Sequence, residues 1–139
     1  MARHHTQWAA QFALASELCK RGCDVSFTMG NCTPLADLLV LAPDGGTFLL
    51  DVKGLAKPNF WQIKAKPPRP NLYYVLCLVP SGAANRYFLM SQATLNAHLT
   101  AYEQSGVKYD ERFSGMNWGT AIAHENDWSA LPIAPNADA

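Results

Sequence analysis

Eight consecutive residues, Leu72 to Val79 (LYYVLCLV), carry no charge and no helix breaker, and a strand built this way must be covered on both of its faces. Leu38 to Leu41 and Phe48 to Leu50 are apolar in the same two-sided manner. A sheet with one wet face would leave such strands half exposed, so helices are required on each side. The expected class is therefore α/β, with a central mixed sheet in a three-layer α/β/α arrangement. Two segments supply the helices. Thr6 is placed to cap one that runs to about Arg21 and stops at Gly22, with Trp8, Phe12, Ala15 and Cys19 as its apolar stripe and Leu14 and Leu18 beside it. Ser91 is placed to cap another from Gln92 to about Tyr102, with Leu95, Leu99 and Tyr102 facing the core.

The remaining segments fit the same scheme. Asp24 to Met29 alternates polar and apolar residues, as a strand does with one covered face. Arg86 to Met90 reads as a short strand after a turn at Ser81-Gly82. Gly54 to Pro70 is rich in Pro and Lys; its island Asn59 to Lys64 is expected to form one or two helical turns or an aromatic-packed loop. With 139 residues, about half of them apolar, the chain has material for one core, a single domain over 1–139.

Charges mark the ends of the hairpin between these strands. Asp37 precedes Leu38 to Leu41, Pro43-Asp44-Gly45-Gly46 turns the chain, and Asp51-Val52-Lys53 closes the second strand. Strand side chains alternate faces, so Asp51 and Lys53 point one way and Val52 the other. Asp37 joins them only if the loop has odd length. A loop of Asp44-Gly45-Gly46, with a glycine in the left-handed conformation, sets Asp37 opposite Lys53 and Leu39 opposite Asp51. Two carboxylates and an ammonium would then share one sheet edge. From Val52 to Leu72 the sequence adds Lys57, Lys64, Lys66 and Arg69 with no acid, a basic strip suited to docking phosphates.

An Asp at the head of one strand and Asp-x-Lys at the tail of the next resembles the PD-(D/E)xK nuclease superfamily, which includes restriction endonucleases and archaeal Holliday junction resolvases. The order of elements agrees: a helix ending in Cys19-Lys20-Arg21-Gly22, a strand from Asp24, the hairpin, then the long apolar strand. The likeness extends over roughly residues 6 to 104 and implies a restriction-endonuclease-like fold. It also implies a metal-dependent nuclease acting on nucleic acid, DNA before RNA, with Mg²⁺ or Mn²⁺ as cofactor. Carried over, Asp37, Asp51 and the main-chain carbonyl of Val52 hold the metal and Lys53 orients the attacking water. Oxygen ligands suit a hard ion that keeps several waters and draws further ligands from substrate phosphate. Gln11 stands where relatives carry a helix glutamate, about eleven residues before the glycine that ends the helix; a neutral amide supplies no charge there. Gln62 falls where some relatives place a helix glutamine.

Net charge is zero, which excludes a protein that coats nucleic acid indiscriminately but not a local basic strip. The spacings of Cys19, Cys23, Cys32 and Cys77 fit no zinc signature, and His4, His5, His98 and His124 form no ligand pattern. Buried thiols, the absence of a signal-like start and the lack of any run near ~20 apolar residues point to a cytoplasmic protein with no membrane partner. Phe113 to Ile133 is too apolar for a free tail, so it is expected to wrap the core or to form a homodimer, with only the last half dozen residues free. Two rival readings stand beside the nuclease. One is a catalytically inactive relative that binds nucleic acid; the other is an interaction module that binds a protein through its apolar C-terminal segment. The plainest alternative is an exposed surface ion pair of no function.

Overall fold

A computed structural model describes residues 2–28, 35–105 and 114–134. Its centre is a five-stranded mixed sheet ordered β1 (Asp24–Phe27), β2 (Leu38–Leu41), β3 (Thr47–Leu55), β5 (Leu72–Leu78), β6 (Arg86–Ser91). Among the described residues, only its β3–β5 pair is parallel. The connection between them carries β4 (Phe60–Gln62), which pairs instead with β7 (Gly115–Asn117) in a separate two-stranded sheet. Asn59 to Lys64 thus contains a strand rather than helical turns, because β7 offers Phe60 to Gln62 a backbone partner that local sequence does not reveal.

Helix α1 (Arg3–Lys20) covers one face and α2 (Gln92–Glu103) the other. The alternation of β5 and β6 divides the core accordingly. Val75, Cys77, Val79, Tyr87 and Leu89 pack with Ala10, Leu14 and Leu18 of α1. Leu72, Tyr74, Leu76, Leu78, Phe88 and Met90 pack with Leu95 and Leu99 of α2. Ser91 caps α2 as expected, accepting from the Thr94 N–H at 3.1 Å.

Helix α1 departs from expectation twice. It starts one turn earlier, with Ala2 at the cap position and Thr6 inside the helix, its N–H donating to the Ala2 carbonyl. Its buried stripe is Thr6, Ala10, Gln11, Leu14, Ala15 and Leu18, whereas Trp8, Phe12 and Cys19 are exposed. The reason is the closeness of helix and sheet. A Cβ on Gly54 of β3 would stand 2.9 Å from the Ala10 Cβ and 3.0 Å from the Thr6 carbonyl oxygen, a separation only glycine permits. Small residues therefore line the contact, and the aromatics move to the flank, where Trp8 stacks on Phe12 and Phe12 meets Phe27 of β1.

The C-terminal segment packs within its own chain. Met116, Ala121 and Leu131 are buried, and Trp118, at the start of the short helix α3 (Trp118–Ala121), stacks on Trp61 and meets the edge of Phe88. Trp128 lies under the Arg21 guanidinium, 3.5 Å from ring centre to Cζ. These contacts use part of the apolar surface on which the homodimer was expected, while Ile122 remains 47% exposed. The positions Met29, Cys32 and Phe113, and the final residues 135–139, lie outside the described residues. Among the described residues, no helix is long and apolar enough to cross a membrane.

Candidate functional site

The hairpin parity is as expected but its register is shifted by two residues. Leu38 pairs with Leu50 and Leu41 with Thr47. The turn closes between Ala42 and Gly46, whose carbonyl accepts from the Ala42 N–H at 2.7 Å. The loop is therefore Pro43-Asp44-Gly45, not Asp44-Gly45-Gly46. Gly45 takes the positive φ, +92°, and the Asp44 carboxylate accepts from the Gly46 N–H at 2.9 Å; that aspartate cap favours the earlier turn. Continuing the register places Asp37 level with Asp51, not Lys53.

Strand β2 ends its pairing at Leu38↔Leu50, yet β3 continues from Asp51 to Leu55, paired among the described residues with β5 alone. The backbone of β3 facing the departed strand needs other partners. Side chains provide them at Val52. Its N–H donates to Asp37 Oδ2 at 2.8 Å, and its carbonyl accepts from the Gln7 amide at 2.7 Å. Gln7 follows Thr6, the residue that touches Gly54, so the tight α1–β3 crossing delivers it here. Gln11, one turn further along, is buried on the inner face of α1. The helix side chain bonded to the Asp-x-Lys backbone is thus Gln7.

Asp51 is only 1% exposed and carries two cations. Lys66 Nζ lies 2.6 Å from Oδ2, and Lys53 Nζ lies 3.2 Å from Oδ1. The Lys53 contact is close enough for ion pairing but lacks hydrogen-bond geometry, leaving buried Oδ1 without a hydrogen-bond partner among the described residues. Tyr74 sits directly opposite Asp51 on β5 and shares its face; its buried hydroxyl also has no hydrogen-bond partner among the described residues. Burial, then the charges of Asp51 and Asp37, push the Tyr74 phenol above its ordinary range, so it remains a proton donor. Half-buried Asp37 is pushed up chiefly by desolvation, opposed by the Val52 N–H; Asp51 raises it further, while Lys53 and Lys66 pull it down.

The structure separates the basic strip. Lys66 also donates to the Leu35 carbonyl at 3.1 Å, which makes it part of the carboxylate site. Lys64 and Arg69 are exposed and, with Lys66, Leu35, Ala65 and Pro67, line a cavity of about 420 Å³. Lys57 is exposed on the turn before β4, and Gln62 lies on β4 rather than on a helix. Lys66 is placed by a residue that no local pattern singled out. Buried Gln92, the first residue of α2, donates to the carbonyls of Lys66 and Pro67 and accepts from the Arg69 N–H at 2.7 Å. Tyr74 was equally hidden, since one phenol inside an apolar strand carries no local signal.

The donor set is one of hard oxygens: two carboxylates and the Val52 carbonyl, which keeps a lone pair beside the Gln7 bond. Oδ1 of Asp51, 3.2 Å from Lys53 Nζ but without a hydrogen bond among the described residues, is an atom that could accept a divalent cation. Among the described residues, no group of three or more His, Cys, Asp or Glu could hold a metal by itself. Such a site fits an ion that takes its remaining ligands from water and phosphate. No family model matches the chain, and neither a curated protein nor a solved structure does.

Proposed function

We propose that this protein is a restriction-endonuclease-like, metal-dependent nuclease that hydrolyses phosphodiester bonds, with DNA as the first substrate to test. One observation carries the reading. Asp37, Asp51, Lys53 and the Val52 carbonyl meet where β2 leaves β3, with a buried carboxylate oxygen that has an ion-pair contact but no hydrogen bond among the described residues, and a basic cavity beside it. Asp37, Asp51 and the Val52 carbonyl would hold Mg²⁺ or Mn²⁺, which when bound supplies an activated water and neutralises phosphoryl charge. Lys53, on the same face as Asp51, is positioned to orient that water. Lys64 and Arg69 present free charge to phosphate at the cavity rim.

The Lys66–Asp51 pair favours a second reading, an inactive relative that binds nucleic acid, because an ammonium already neutralises the central carboxylate. A cleavage assay over single-stranded, double-stranded and branched DNA and RNA, with Mg²⁺, Mn²⁺ or chelator, separates the two. Divalent-dependent products that vanish in Asp51→Ala support the nuclease. Binding without products in any metal supports the inactive relative, and neither binding nor products would remove both.

A further inference from the structure

Resting on the nuclease reading, we propose that Lys66 is an exchangeable internal cation: it occupies Asp51 in the free protein and yields that carboxylate to the divalent ion when a phosphate draws it into the adjoining cavity. The ammonium reaches Asp51 Oδ2 at 2.6 Å, the shortest ion-pair distance in the site, and the Leu35 carbonyl at 3.1 Å. It also lines the cavity that contains Lys64 and Arg69. One side chain therefore belongs to both the acidic and the basic halves of the site. Its side chain is 29% exposed, so it has a route to solvent that Asp51 lacks.

The loop that carries Lys66 is anchored through its backbone. Gln92 holds the carbonyls of Lys66 and Pro67 and the N–H of Arg69, leaving the lysine side chain free to change partner without the loop moving. Lys66 has two compatible acceptors, a carboxylate on one side and a phosphate oxygen on the other. A metal ion and an ammonium both seek the Asp51 carboxylate and repel each other, so occupation by one opposes the other. Phosphate removes this opposition by taking the ammonium. Substrate and metal then bind with positive coupling, which is reciprocal by linkage.

The test reads metal binding, not cleavage. Free Mn²⁺ is followed by its paramagnetic resonance signal during titration of the wild-type protein and of Lys66→Met, Lys66→Gln, Asp51→Asn and the remote charge control Lys20→Met. The expected result is Mn²⁺ binding at least tenfold tighter in both Lys66 variants, little change in Lys20→Met and loss in Asp51→Asn. Added inorganic phosphate should tighten binding to the wild type and not to the Lys66 variants. Should those variants fold poorly, the wild type itself suffices: Mg²⁺ plus phosphate should shift the Lys66 ammonium proton–nitrogen resonance away from its ion-paired position. Equal Mn²⁺ affinity in wild type and Lys66 variants, all sensitive to Asp51→Asn, overturns the exchange and leaves the metal site standing. No Mn²⁺ binding in any form overturns the exchange and the metal-dependent reading together.

Discussion

The side-chain amide of Gln7 donates to the main-chain carbonyl of Val52 at 2.7 Å, tying the first helix to the centre of the Asp-x-Lys segment. Replacing that amide by a carboxylate sets two acceptors against each other, so Gln7→Glu should lower thermal stability in chelator. If the site takes a divalent ion, the new carboxylate would add a ligand and offset the repulsion, so saturating Mn²⁺ should raise the melting temperature of the variant more than that of the wild type. Gln11→Glu buries a carboxylate on the inner face of α1 and should be destabilising with or without Mn²⁺. Melting curves of both variants decide between the positions; a Mn²⁺-dependent gain confined to Gln11→Glu would relocate the helix contribution.

Asp37 supplies a pH test. Its folded-state pKa lies above the unfolded value of 3.8, mainly through desolvation. The ionised carboxylate therefore costs stability above the folded pKa; this cost fades as pH falls through the folded pKa and is gone below 3.8. Asp37→Asn retains an oxygen for the Val52 N–H and removes the charge. In metal-free buffer at pH 7 it should melt higher by on the order of 3 °C, with the difference shrinking towards zero as the solution is acidified. A variant less stable than wild type at pH 7 would contradict desolvation as the dominant influence.

Tyr74 tests the unpaired atoms on the inner sheet. A buried hydroxyl without a partner costs about 1–3 kcal/mol. Tyr74→Phe should therefore leave the metal-free protein as stable as wild type, or more stable. Denaturant melts in chelator are the measurement, and a loss above about 1 kcal/mol would indicate a bonded hydroxyl.

A second pH dependence lies away from the site. His98 of α2 and His124 of the C-terminal segment face each other with their Nε2 atoms 2.8 Å apart, an arrangement that needs a lone pair on one ring. Burial and then the charge of His98 lower the His124 pKa, against a smaller opposing pull from Asp127. Its stabilising contribution is thus present above the unfolded value of 6.5 and lost as pH falls through the lower folded value. Wild type should lose several degrees of melting temperature between about pH 7 and 5, and His98→Asn should lose less. Parallel curves for the two proteins would show that the pair does not titrate in this range.

What the chain determined by itself is set by repeat and parity. Leu72 to Val79 required a sheet covered on two sides, and alternation placed Asp51 and Lys53 together with Val52 opposed, whatever the partners. An odd-length turn put Asp37 on their face, because a two-residue shift of register preserves facing. The tertiary structure alone decided which residues occupy these roles. The register followed from the Asp44 cap on Gly46, and the inner stripe of α1 from the close approach at Gly54. Gln7 entered the site through that crossing, Lys66 through the Gln92 clamp and Tyr74 through its parallel pairing with Asp51. Each of these depends on contacts between segments far apart in the chain, and local periodicity holds no record of which distant backbone will come to lie alongside.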